Sequence, residues 1–477
     1  MSDPLSLPPN RTQPPPSGPE RPLRLPEVRR ELLPSGLALV AVRDPSVPLV
    51  SASLLVRGGS SIDPEGGEGL ASLTAALLTE GSLSCDGPAF AKRVDRLGAS
   101  LSAAAGPDST GVGLTILSRF FEEGLELLGE AALSPAFAER DVRRVRGIRL
   151  DSLRQRRDSP GALASIAFDE LVFAGTRYSH PVAGYPASVA PLDVADLAAF
   201  HEGKFRPEGG ALVATGDLDP DSFFKEASRI FGGWNGGAPP LPSIGMKSQD
   251  RGTTIRLVDR PASVQSSLRV GGPAVTRSHP DFHLLEVLNA ILGGKFVSRI
   301  NLNLRERHGY TYGASSRFAY RVAAGAFVVS VDVQNDATAP ALSELISELE
   351  RIRQGLVEPG ELEDAVRYLT GVFPYMLETA DDLASRLLDI HLHRLPTDFL
   401  ETYREKISSS TSEAILEAAR RHLDPSNLSI VVVGRAEEAA APLERIAPVE
   451  VVDVDGEGRG REGAIGTLAE WGGVEQS

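Results

Sequence analysis

Residues 54–60 read LLVRGGS and residues 266–273 read SSLRVGGP, two apolar runs that each reach a glycine pair, Gly58-Gly59 and Gly271-Gly272, 213 positions apart. Working outward, a Leu/Ala-rich stretch of helical character follows each: GLASLTAALLTEG at 69–81 and FHLLEVLNAILGG at 282–294. Gly81 and Gly293 are 212 apart. Each half then closes alike. FRPEGGALVATGD carries Pro207 and Gly216, LDPSNLSIVVVGR carries Pro425 and Gly434, and the two glycines are 218 apart. Three landmarks in one order at a nearly constant offset identify a tandem duplication.

Between the halves, GGWNGGAPPLPSIGMKSQDRG has the Gly/Pro content of a linker. The expected organisation is a Pro-rich, disordered lead-in at 1–27, a first half at 28–231, a linker at 232–252, a second half at 253–447 and a flexible tail at 448–477. Alternation in ASLSAAAGPDSTGVGLTIL (99–117) predicts paired antiparallel strands, and residues 138–173 predict two helices broken near Ser159-Pro160. The fold class is therefore α+β: two homologous halves, each with antiparallel sheets flanked by helices, closing as a clamshell.

Composition narrows the function. At 477 residues with 42% hydrophobic and 24% charged residues, the chain has the balance of a globular protein with real cores. A net charge of −15 speaks against nucleic-acid and anionic-membrane partners, whose phosphates require clustered Lys and Arg. A single cysteine, Cys85, excludes an intrachain disulfide. No apolar run reaches the roughly 18 residues of a bilayer span. The N-terminus lacks a basic start followed by an apolar stretch, so the expectation is a cytoplasmic protein without a secretory signal.

The order LVRGGS, GLASLTAALLTEGS, RLGASLSA, SLRQRRDSPGALA, HPVAGYPASVAPL, FRPEGGALVATGDLDP, then LVDRPASVQSSLRVGGP, ILGGKFVSRINLNLRERHGYTYG and FPYMLETADDLASRLL, resembles the pitrilysin/insulinase-type zinc peptidases, the M16 or inverzincin family, over residues 28–447. Active members carry H-x-x-E-H in the first-half helix. Two His at i and i+4 share a helix face and bind zinc, Glu serves as general base, and a glutamate from a later helix completes the site. Here that window is Ser72-Leu73-Thr74-Ala75-Ala76. Ser72 and Ala76 stand at the His positions, Ala75 at the Glu position, and Ser152 near the downstream glutamate. Alanine offers a metal no lone pair. The resemblance thus implies a non-catalytic subunit of the kind that partners an active chain in bacterial heterodimers and mitochondrial-processing-peptidase-like proteins.

The resemblance also implies a role for the second half, where the family places an arginine and a tyrosine seven residues apart in a string like L-R-x-x-x-G-x-x-Y. Arg305 and Tyr312 in LRERHGYTY match it. A guanidinium holds a peptide carbonyl through charge-assisted bonds, and a phenol donates to a developing oxyanion. The expectation is that this chain binds no cofactor, that zinc sits in an active M16 partner, and that the heterodimer cleaves peptides or unfolded polypeptides with Arg305 and Tyr312 acting in trans. The alternative is a non-proteolytic scaffold or peptide-binding protein of the same fold. A structural alternative also exists for the pair itself, with Arg305 paired to Glu306 or another nearby carboxylate and Tyr312 a sheet residue. The strand TYGASSRFAYR offers an edge for an extended peptide. Other motifs carry less: His283 and Glu286 echo H-x-x-E without a second His, Gly458–Gly463 form a G-x-G-x-x-G without a following helix, Cys85 lacks a catalytic partner, and Arg154, Arg156 and Arg157 read as a solvated helix face.

Overall fold

The computed structural model describes residues 23–240 and 252–454. Most of the lead-in, part of the linker, most of the tail and its G-x-G-x-x-G string lie outside the described residues. In the first half the strands are β1 (Val28–Leu32), β2 (Ala38–Arg43), β3 (Leu49–Arg57), β4 (Gly81–Ser82), β5 (Cys85–Asp86), β6 (Ser100–Ala105), β7 (Ser109–Leu117) and β8 (Ala211–Gly216). β4 and β5 pair with each other, and the other six form one sheet in the order β1-β2-β8-β3-β7-β6. The second half has β9 (Thr254–Asp259), β10 (Gln265–Ala274), β11 (Ala314–Tyr320), β12 (Gly325–Gln334), β13 (Ser429–Gly434) and β14 (Val449–Val452). Their sheet, read from β14, runs β14-β9-β13-β10-β12-β11.

Five strands therefore correspond in place: β2, β8, β3, β7 and β6 with β9, β13, β10, β12 and β11. The glycine pairs fall immediately after β3 and within β10, and Gly216 and Gly434 end β8 and β13, as a duplication requires. Each sheet is mostly antiparallel, but the last long strand of each half pairs parallel with an early one, β8 with β2 and β13 with β9. β14 extends the second sheet as a parallel edge on β9. That corrects the tail boundary of 448: residues 449–452, VEVV, supply alternating apolar side chains to the sheet, and Val452 is buried. At the other end, Leu23 and Leu25, placed in the lead-in, pack on the second core.

β8 is buried at all six positions, and β3 at six of nine, because both faces of the sheet are covered. One cover is exchanged between halves. The helix Pro160–Val172 lies on β10 and β13, and the helix Ala380–Leu392 lies on β3 and β8. Polar bonds fix each exchange. Arg269 of β10 donates to the Gly161 carbonyl at 2.9 Å and to Ser165 Oγ at 3.0 Å. Ser51 of β3 donates to Asp381 at 3.0 Å, and Thr215 of β8 donates to the Ala380 carbonyl at 2.5 Å. The helix break near residue 159 makes the first exchange possible: Ser159 caps the new helix by accepting from the Ala162 N–H, and Pro160 opens its first turn. No helix among the described residues is long and apolar enough to cross a membrane.

Candidate functional site

The degenerate motif lies on the short helix Leu70–Leu77, whose Leu70 to Ala75 are all buried. Its start is held by Asp63, whose carboxylate accepts from the Gly69 and Ala71 N–H groups, both at 2.8 Å. Burial, opposed by those two donors and by Arg177, pushes the Asp63 carboxyl up to about 7. The segment HPVAGYPAS packs on the same end. Ser188 Oγ donates to the Glu68 carbonyl at 2.7 Å, and Gly184 comes so close that a Cβ there would sit 2.0 Å from that oxygen. Ser72 and Ala76, four apart, share one face of this helix.

What meets Ser72 is a cation. The helix Glu139–Arg157 buries Val142, Val145 and Leu153, and Arg149 on that face donates a hydrogen bond to the Ser72 hydroxyl. Ser152 lies one turn further on and is exposed. Burial, with Arg156 nearby, holds the Arg149 guanidinium below its usual pKa, and among the described residues no carboxylate pairs with it. These residues do not fit a catalytic zinc. Ala75 and Ala76 have no donor atom, Ser72 is engaged, and a fixed positive charge stands beside the motif.

A second cluster joins His279, Asp281 and His422, whose potential ligand atoms lie within 4.8 Å of one another. Its chemistry is that of a clasp between helices. His279 Nδ1 accepts from the Asp281 N–H at 3.1 Å, which leaves the ring proton on Nε2 and no lone pair there. Asp281 Oδ2 already receives Arg421 at 2.6 Å and His422 at 2.7 Å. The pair His283 and Glu286 lies among Phe282, Phe399 and Tyr403, with Tyr320 donating to Glu286 at 3.2 Å. That is packing, not ligation.

Arg305 falls in a π-helical turn, Leu302–Arg307, a distortion often found at functional sites. Gly309, at φ 67°, ends it in the left-handed region, and Thr311 Oγ1 then ties the chain to the Gly313 and Asp332 carbonyls at 2.9 and 2.7 Å before β11 begins. This sequence of stop and anchor sets the separation of the pair. Tyr312 is 92% exposed and belongs to no strand. The Arg305 guanidinium lies 4.3 Å from the Phe296 ring centroid and 3.6 Å from Glu306. The Glu306 partnership weighed from the sequence is therefore present. At such exposure each contact is worth about 1 kcal/mol or less, so neither locks the side chain in place.

The family comparison draws these observations together. Residues 38–181 match the model of the insulinase (peptidase M16) family, and residues 191–369 match the model described as peptidase M16 inactive domain. The chain belongs to the M16 peptidase family. Among M16 relatives, a Helicobacter pylori protein named non-peptidase homolog YmxG is 23% identical over 81% of this chain and 89% of its own. A Mycobacterium bovis protein named an uncharacterized zinc protease is 25% identical over 85% and 93%. The crystal structure of an M16 inactive domain from Pseudomonas fluorescens superposes with a TM-score of 0.79 at 25% identity, covering 86% of this chain and 98% of that one. The relatives' names divide between peptidase and non-peptidase. For this chain the residues of the motif helix decide: it is an inactive M16 homologue.

Two features of this M16 chain escape a search for ligands. Arg149 is missed because a motif comparison asks only whether a carboxylate survives, although its spacing of four from Val145 and Leu153 marks the inward face. Asp63 is missed because it stands outside the helix it caps, six residues before Gly69.

Proposed function

We propose that this chain is the non-catalytic subunit of a heterodimeric M16 metalloendopeptidase, in which it binds the peptide substrate while an active partner holds zinc. The observation that carries the proposal is the contrast between the two halves: Ser72 and Ala76 replace the two histidine ligands and Ala75 the general base, yet Arg305 and Tyr312 persist on a solvent-facing turn. In this reading Arg305 swings from Phe296 and Glu306 to donate to a substrate carbonyl, and Tyr312 donates to the oxyanion as it forms. β11, an edge strand of the second sheet, gives an extended peptide a backbone partner. The lone cysteine supports a reducing, cytoplasmic setting.

Arg305→Ala is the test. Partner-dependent cleavage should fall at least about a hundredfold, the scale for losing one preorganised donor, while the heterodimer still elutes intact. Tyr312→Phe should lower kcat more than it raises KM. An unchanged rate in Arg305→Ala sinks the role in trans and leaves the scaffold reading, for which Arg305 simply remains on Phe296.

A further inference from the structure

Among the described residues, Arg149 donates to the Ser72 hydroxyl and pairs with no carboxylate. In the family pattern a doubly charged zinc faces a glutamate base and a glutamate ligand. In this chain those positions hold Ala75 and Ser152, so both negative charges are gone with the metal, and the Arg149 guanidinium adds a positive one. Arg156 reinforces it. A guanidinium has five N–H donors, and one of them is spent on Ser72. The Ser72 hydroxyl accepts that bond and keeps its own proton to donate.

We propose that the vacated metal position is an anion site, in which Arg149 and Ser72 together take a carboxylate of the bound peptide. The planar fork of arginine matches a carboxylate and is fixed in place by Ser72 from below. Arg149 brings a positive charge to this spot in a chain of net charge −15, and among the described residues no carboxylate pairs with it. The carboxylate belongs either to the C-terminus of the peptide or to an Asp or Glu side chain. This rests on the peptide-binding reading above, but it involves neither the partner's zinc nor Arg305.

The test therefore uses the full chain alone and measures binding, not cleavage. Three fluorescent peptides of one neutral sequence are compared by anisotropy: one with a free C-terminus, one amidated with an internal Glu, and one amidated without any acid. The chain should bind one of the first two at least about tenfold tighter than the third, equal to about 1.4 kcal/mol, and which one gains identifies the source of the carboxylate. Arg149→Gln, matched in bulk but neutral, should abolish the preference, and Ser72→Ala should reduce it without touching the charge. Equal affinity for all three peptides, no binding of any, or a preference that survives Arg149→Gln would each overturn the proposal. A loss of Arg305-dependent cleavage with the anion preference intact, or the reverse, separates the two roles.

Discussion

At the scale of single residues, inactivity here is more than a missing ligand set. Ser72, Ala75 and Ala76 remove the donors, and Arg149 then occupies the neighbourhood with a charge that repels any metal. Restoring the motif alone should therefore fail. The variant Ser72→His, Ala75→Glu, Ala76→His, Ser152→Glu is expected to bind zinc at least about tenfold more weakly than the same variant carrying Arg149→Ala as well, measured by competition with a chelator dye. Equal affinities would show that Arg149 does not guard the site. The erased ligands are legible in the sequence because H-x-x-E-H has fixed spacing. Arg149 is not, because its role depends on how two helices separated by 77 positions meet.

At the scale of elements, the duplicated landmarks are legible because glycine pairs and terminal strands recur at a nearly constant offset. The parallel return of β8 and β13, and the addition of β14, are not, since apolar alternation is the same for either direction of pairing. The helix Phe282–Leu292 shows a further gap between motif and environment. Its H-x-x-E echo is an aromatic nest in which burial, reinforced by Lys406 and Arg277, lowers the His283 pKa to about 4. The sign follows from linkage: between about 4 and 6.5 the unfolded chain takes up a proton that folded His283 refuses. Its contribution is complete above pH 6.5 and is lost as the pH falls toward 4. Between pH 7 and 5 the wild type should lose about 1 kcal/mol more than His283→Leu, the linkage value halved for partial exposure. Urea midpoints at the two pH values measure it, and identical losses would contradict the assignment.

At the scale of the whole molecule, the exchanged helices make each half incomplete without the other, an arrangement no local pattern announces. The joint also has a polar centre. Arg321, in the turn between β11 and β12, donates to the Tyr178 carbonyl at 3.0 Å and to Asp169 at 2.9 Å, and stacks 4.0 Å from the Phe173 ring centroid. Asp108 accepts from Tyr178 and, at 2.9 Å, from the Val322 N–H. Arg321→Ala leaves the Tyr178 carbonyl and Asp169 short of a donor and should cost about 2 kcal/mol, with half-exposed Asp169 limiting the loss. Small-angle scattering of the variant should show a larger radius of gyration if this joint holds the halves together, and an unchanged radius with unchanged stability would refute that. The most direct test of the central claim is peptidase activity and zinc content of the purified chain, alone and then mixed with a zinc-bearing M16 partner. The expected result is no zinc and no cleavage alone, and cleavage on mixing beyond that of the partner by itself. Stoichiometric zinc and turnover in the isolated chain would contradict it.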